Sequence, residues 1–139
     1  MLTKLALSPL LAAQALYVMR TAQQLPEPEG PRSGSTGRGP KHRLLILGDS
    51  SAAGVGATDQ SKALSGQLPP LLAPHYTLHW QLIARTGATS KSTLKTLQNM
   101  PEQPFDTALV VLGVNDVTRL TGPATWLKQQ EEIHTLLRQ

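Results

Sequence analysis

The chain has 139 residues, the size of one domain with room for a short extra segment. Hydrophobic residues make up 40% and charged residues 16% of the sequence. This composition fits a packed core and excludes an intrinsically disordered chain. There is no cysteine, which excludes disulfides, thiolate metal sites and cysteine nucleophiles.

The net positive charge of the chain lies in its first third. Residues 1–43 contain six basic and two acidic side chains, whereas residues 44–139 contain seven of each. A nucleic-acid surface needs clustered basic residues together with stacking aromatic residues, and aromatic residues make up only 4% of the chain. We therefore expect no nucleic-acid partner.

Residues 1–24 contain an apolar run, from Leu5 to Met19, between Lys4 and Arg20. The run is shorter than the roughly 20 apolar residues that span a bilayer. It is compatible with a signal peptide cleaved near Ala13-Gln14-Ala15, with a membrane anchor or interfacial helix, or with a packed helix of a soluble protein. The first two interpretations imply a cell-envelope location and membrane association through residues 1–24, and the third leaves a cytoplasmic location open.

Residues 25–41 are rich in proline and glycine, which break helices and strand ladders. We predict a linker that is semi-extended at its proline-rich start and flexible at its glycine-rich end. The predicted organisation is therefore a hydrophobic helix at 1–24, a linker at 25–41 and a globular part at 42–139.

The globular part alternates between predicted strands and predicted helices. Apolar or alternating runs predict strands at 43–48, 76–83 and 107–112, and helical periodicity predicts helices at 61–72, 90–100 and 123–138. This order predicts an α/β fold with a parallel sheet and flanking helices. Each strand runs into a polar loop that contains glycine, and ligands of such sheets bind beyond the carboxyl ends of the strands.

Each of the three loops contains one candidate site residue. Ser50 follows the first strand, where backbone amides favour a serine nucleophile, although serine is also a preferred helix cap. The Asn115 side chain can donate to an oxyanion or serve as a turn residue, and Gly87 can donate through its backbone amide or simply form a turn. No metal-ligand spacing and no nucleotide-binding motif is present, so we expect neither a metal nor a cofactor.

The three loops together resemble the first three sequence blocks of the SGNH, or GDSL-type, hydrolases. The matching segments are Gly48-Asp49-Ser50-Ser51-Ala52-Ala53-Gly54-Val55-Gly56, Ala84-Arg85-Thr86-Gly87-Ala88-Thr89 and Gly113-Val114-Asn115-Asp116. The resemblance covers residues 43 to about 138 and implies a flavodoxin-like fold. It also implies a lipase-like esterase that forms an acyl-enzyme on a small-molecule ester. Ser50 would be the nucleophile, and the Ser50 and Gly87 amides with the Asn115 side chain would form the oxyanion hole.

The fourth block of the family, Asp-x-x-His, supplies the general base and has no match in this chain. Glu131 and His134 have a similar spacing, but pairs of this kind on an amphipathic helix usually form a solvated face. We therefore expect a partial SGNH domain, truncated before the fourth block and impaired as an ester hydrolase. One alternative is a non-catalytic α/β module that binds a small acyl or anionic ligand. Another is an interaction protein tethered to a membrane by its front helix.

Overall fold

Strands and helices alternate through the computed structural model, which describes residues 2–138, with side chains described at 7–18 and 20–138. The elements are α1 (Leu2–Thr21), β1 (Ser33–Thr36), β2 (Lys41–Gly48), α2 (Ser50–Ala53), a 3₁₀ turn (Gln60–Lys62), α3 (Leu64–Leu72), β3 (Thr77–Ala84), α4 (Ser90–Gln98), β4 (Thr107–Val111), α5 (Val114–Thr118) and α6 (Pro123–Leu137). The predicted α/β class is confirmed.

The sheet has four strands in the order β1-β3-β2-β4. β2 pairs in parallel with β3 on one side and with β4 on the other, as predicted, whereas β1 is antiparallel to β3. The chain passes from β2 to β3, then returns across the sheet to β4. The carboxyl end of β2 is therefore the topological switch point, where open α/β sheets bind ligands.

The core lies on both faces of β2. Leu44 and Ile46 pack in the cluster that contains residues of α3, and Leu45 and Leu47 pack in the cluster that contains Ile133 of α6. All four β2 residues are at most 2% exposed, and full burial of one such side chain contributes about 1.5–3 kcal/mol. Burial on both faces explains why this strand is a continuous apolar run in the sequence.

Helix α1 differs from the other long helices in its exposure. Its side chains at 7–18 and at Arg20 are all exposed, so this part of the helix packs little on the globular part. Within residues 2–138, no helix combines the length and the apolar character needed to cross a membrane.

Residues 25–41 differ from the flexible linker predicted from their composition. Pro28 is buried, and residues 33–36 form β1, in which Gly34 pairs with Trp80 of β3. A Cβ atom on Gly34 would lie 3.0 Å from the Trp80 indole nitrogen, so glycine allows the close approach of the two strands. A glycine inside a strand often marks such a close approach. The prediction of a flexible glycine-rich stretch is wrong at β1, while the domain boundaries remain predictions.

Two further elements differ from the sequence prediction. The helix predicted at 61–72 begins as a 3₁₀ turn, and α3 then runs through Pro69 and Pro70 to the predicted end at Leu72. Pro69 is fully buried, so its packing offsets the backbone hydrogen bond that proline cannot make. The loop predicted at 113–116 is the start of α5, a five-residue helix too short to show helical periodicity.

Candidate active site

The turn from β2 into α2 is held by a buried carboxylate. Asp49 is 2% exposed, caps α2 and accepts a hydrogen bond from the Ser51 backbone amide at 2.9 Å. Gly48 makes the turn compact, since a Cβ atom there would lie 2.5 Å from the Val111 carbonyl oxygen and 2.6 Å from Ala52 Cβ. The turn therefore places Ser50 at the switch point of the sheet.

Ser50 presents two unpaired polar groups at this point. Its side chain is partly exposed, and its hydroxyl has no hydrogen-bond partner within residues 2–138. Its backbone amide, at the first position of α2, is equally without a partner among these residues. Both groups are thus free to contact a ligand.

The loop between β3 and α4 contains Gly87 with φ of +76°, a conformation that favours glycine. The Arg85 amide donates to the Gly48 carbonyl at 3.2 Å, so this loop is joined to the turn that carries Ser50. The Ala88 amide donates back to the Arg85 carbonyl at 3.0 Å. In the described part of the chain the Gly87 amide itself has no acceptor.

Asn115 connects the third loop to the other two. Its side-chain Nδ2 donates to the Ala88 carbonyl at 3.0 Å and to Asp49 Oδ2 at 3.4 Å. All three loops therefore meet at the carboxyl end of β2, and Asn115 lies on the same edge of the sheet as Ser50 and Gly87. The catalytic and oxyanion-hole roles of the three residues remain predictions.

Asp116 supports this edge and was missed by the sequence analysis. It is 2% exposed and accepts from the Ser90 amide at 3.0 Å and from the Ser90 hydroxyl at 2.8 Å. Ser90 Oγ in turn accepts from Gln130 Nε2 at 2.7 Å, so one chain of hydrogen bonds, buried at Asp116 and Ser90, ties α5 to α4 and α6. The cap at Asp49 was readable as an acidic residue before a helix, whereas Asp116 gave no such local signal.

Three of the four histidines lie away from the carboxyl end of β2. His42 Nε2 is 3.0 Å from Thr107 Oγ1, near the amino ends of β2 and β4, and His75 precedes β3. His79 pairs in register with Arg43, five residues before Gly48, which corresponds to about 16 Å along a strand.

His134 lies on the exposed side of α6. It follows Gln130, which reaches Ser90, by four residues, or about 6 Å of helix. From there α6 continues to Leu136, which packs against the same core cluster as Phe105, a residue just before β4. His134 therefore lies away from the Ser50 edge.

No group of three or more His, Asp or Glu side chains in residues 2–138 could hold a metal ion.

Comparisons with known proteins agree with this fold. A sequence profile of the GDSL-like lipase/acylhydrolase family matches residues 46–139, which include all three loops. The solved structure of TesA superposes with a TM-score of 0.64 and 27% identity over 70% of this chain and 54% of TesA. AlinE4, an SGNH-hydrolase family esterase, superposes with a TM-score of 0.56 and 25% identity over 73% of this chain and 55% of AlinE4.

The chain thus spans about half the length of these two structures. A comparison with curated protein sequences gives no match. The family profile covers more than half of the chain and all three loops at the switch point. The chain belongs to the GDSL-like lipase/acylhydrolase family.

Proposed function

We propose that this chain carries the nucleophile and the oxyanion hole of a serine hydrolase that acts on a small-molecule ester. The single observation that carries the proposal is the pair of hydrogen bonds from Asn115 Nδ2 to Ala88 and to Asp49. These bonds bring the residues next to Gly87 and Ser50 to one point of the sheet edge. The match to an esterase family supports the same reaction class.

In the proposed reaction, Ser50 Oγ forms a bond to the ester carbonyl carbon while its proton passes to a base. The carbonyl oxygen becomes an oxyanion and accepts hydrogen bonds from the Ser50 amide, the Gly87 amide and Asn115 Nδ2. The alcohol then leaves with a proton, and Ser50 holds the acyl group. Attack by water releases the acid and restores the serine.

The two contacts of Asn115 suit this role because they differ in strength. The 3.0 Å bond to the Ala88 carbonyl fixes the side chain. The 3.4 Å contact to Asp49 Oδ2 is long for a hydrogen bond and correspondingly weak. An oxyanion can therefore take over the second N–H of Asn115 at small cost, while Ala88 keeps the first.

The general base is the part of the machinery that we place outside residues 2–138. His42, His75, His79 and His134 all lie away from the Ser50 edge, as described above. By resemblance to the family, an Asp-x-x-His block supplies this base. A serine hydroxyl is a weak nucleophile without a base, so we propose that residues 1–139 alone hydrolyse esters poorly.

The test of the site uses ethylboronic acid, because boron adds to a serine oxygen and forms a tetrahedral anion that resembles the reaction intermediate. The full chain, labelled with ¹⁵N, is titrated and followed by NMR. We expect shifts at the Gly87 amide and the Asn115 side-chain amide. Ser50→Ala should abolish binding, and the neighbouring exposed Ser51→Ala should leave it unchanged.

Equal boronate binding by wild type and Ser50→Ala would contradict the proposal. The titration also bears on the alternative of a non-catalytic binding module. That alternative is favoured if small carboxylates bind at the same loops but no ester is turned over when a general base is provided in the same polypeptide.

We further propose that residues 1–24 bind a membrane surface and place the protein in the cell envelope. Among the described side chains of α1, six bulky apolar ones are exposed and surround the helix instead of forming one face: Leu7, Leu10, Leu11, Leu16, Tyr17 and Val18. Lys4 and Arg20 flank them in the sequence and suit anionic headgroups.

The membrane proposal is tested by co-sedimentation of the full chain with phosphatidylglycerol vesicles. We expect the wild type to sediment with the vesicles and the double variant Leu10→Asp/Leu11→Asp to remain in the supernatant. The double variant Ala12→Asp/Ala15→Asp on the same helix is the charge-matched control. It adds the same charge but removes less apolar surface, so it should sediment more than the first variant. A wild-type chain that stays in the supernatant at low salt would contradict the proposal.

A further inference from the structure

Residues 25–32 form a strap that is fastened to the globular part beside α2. Its main anchor is Gln60, which is 2% exposed. The Gln60 amide donates to the Glu29 carbonyl at 2.8 Å. Gln60 Nε2 donates to the Ala53 carbonyl at 2.9 Å and to the Pro28 carbonyl at 3.3 Å. Gln60 therefore holds the strap by hydrogen bonds to two successive carbonyls, those of Pro28 and Glu29.

The strap reaches the Gly87 loop through one charged pair, which we call the Glu27–Arg32 clasp. Glu27 Oε1 accepts from the Thr86 backbone amide at 2.6 Å and from the Thr86 hydroxyl at 2.8 Å. Glu27 Oε2 accepts from Arg32 Nη1 at 3.0 Å. Arg32 Nη2 donates to the carbonyl of Ala84, the last residue of β3. The clasp thus connects the strap to both ends of the Ala84–Thr86 segment.

The charge state of Glu27 suits this arrangement. The hydrogen bond from the Thr86 backbone amide, aided by the Thr86 hydroxyl and the Arg32 guanidinium, lowers the pKa of Glu27 despite its partial desolvation. Glu27 is therefore ionised at neutral pH, and hydrogen bonds to a carboxylate are shorter and stronger than those between neutral groups. The Glu27 side chain retains 29% of its surface exposed, so solvent screens part of this interaction.

The position of Thr86 gives the clasp a consequence for the site. Thr86 directly precedes Gly87, whose amide is the unpaired donor of this loop. On the other side, Asn115 holds the Ala88 carbonyl at 3.0 Å, and Arg119 Nη2 lies 3.4 Å from the Gly87 carbonyl. Gly87 itself has no side chain to restrict its backbone. The direction of its N–H therefore depends on how its two neighbours are held.

We propose that Glu27 is a positioning residue, which holds Thr86 so that the Gly87 amide points at the oxyanion position. Arg32 keeps Glu27 in place, and neither residue touches the substrate. This inference rests on the proposed function, because it assumes that Gly87 donates to an oxyanion. It also assigns a role to the strap, which lies upstream of the segment that matches the family profile.

The test repeats the ethylboronic acid titration on the full chain with Glu27→Ala and Glu27→Gln. A misplaced donor should weaken boronate binding about tenfold in Glu27→Ala. Glu27→Gln should lose less boronate affinity, because its amide oxygen can still accept hydrogen bonds from Thr86. It also serves as the test if Glu27→Ala does not fold. Glu29→Ala is the matched control, because Glu29 carries the same charge on the same strap but is exposed, and within residues 2–138 its side chain makes no hydrogen bond.

Two spectroscopic readouts separate positioning from general stability. In both Glu27 variants the boronate-induced shift of the Gly87 amide should shrink, while that of the Asn115 side-chain amide persists. Equal affinity and equal Gly87 shifts in Glu27→Ala and Glu29→Ala, with binding still dependent on Ser50, would overturn the role of Glu27 alone. Binding that does not depend on Ser50 would instead overturn the proposed function.

Discussion

Joining residues 1–139 to the C-terminal part of an SGNH esterase that contains Asp-x-x-His is expected to raise p-nitrophenyl acetate hydrolysis by about 10²–10⁴-fold. A histidine supplied there takes the proton of Ser50 as the C–O bond forms and later returns a proton to the leaving alcohol. By our proposal the chain alone keeps the oxyanion hole, which by itself would support slow turnover. The rate is measured at equal protein concentration for the chain alone and for the joined protein.

The controls use the fact that a nucleophile and its base act as a unit. Ser50→Ala should remove the gain in the joined protein but change the slow rate of the chain alone much less, because effects within such a unit are not additive. His134→Ala should leave both rates unchanged. Fast turnover by the chain alone, abolished by both Ser50→Ala and His134→Ala, would show that His134 is the base and that our placement of the base is wrong.

The same addition should raise solubility. Among the described residues, β4 pairs with β2 on one side only, and its residues from Ala108 to Val111 are half-buried. An apolar strand with a free edge promotes intermolecular pairing. Added sequence that covers this edge should reduce aggregation in parallel with the gain in activity.

The elements that sequence reasoning found are those whose signal is local. The run Leu44–Leu47 indicated a strand buried on both faces, and its four side chains are indeed buried there. The three loops after strands could be placed at one edge because parallel strands end on the same side. Their meeting at Asn115 followed from this topology, without any knowledge of side-chain contacts.

The elements that sequence reasoning missed depend on partners distant in the chain. β1 forms because Gly34 fits under Trp80, 46 positions later in the numbering. The clasp joins Glu27 to Thr86, and Asp116 is satisfied by Ser90. In each case the local composition favours a turn, a linker or a solvated charge. The structural role of each residue comes from a contact with a residue distant in the chain, which the local sequence does not reveal.

Asn115→Ala should lower both boronate affinity and the rate of the joined protein by about 10²–10³, the usual effect of removing one oxyanion donor. The Ala88 carbonyl also loses its 3.0 Å donor, so loop order should fall slightly. Boronate titration and initial rates measure the two effects. Unchanged values in both would show that Asn115 only connects the loops and does not contact the oxyanion.

Asn115→Asp keeps the shape of the side chain but replaces its amide group by a carboxylate. In the wild type, Asn115 Nδ2 lies 3.4 Å from Asp49 Oδ2, so the new carboxylate would face that of Asp49. Asp49 is 2% exposed, so the repulsion raises the pKa of the new carboxyl above the value of about 3.9 that it has in the unfolded chain. At a pH where the new carboxyl is protonated in both the folded and the unfolded state, this shift does not change the free energy of unfolding. As pH rises above the pKa of the unfolded chain, the folded state loses a growing amount of stability. Urea unfolding should therefore show a larger loss in the free energy of unfolding, relative to wild type, at pH 7 than at pH 4. The control Gln98→Glu adds a carboxylate at an exposed position and should change the free energy of unfolding little at either pH. An Asn115→Asp variant equally destabilised at both pH values would mean that the two side chains do not interact electrostatically.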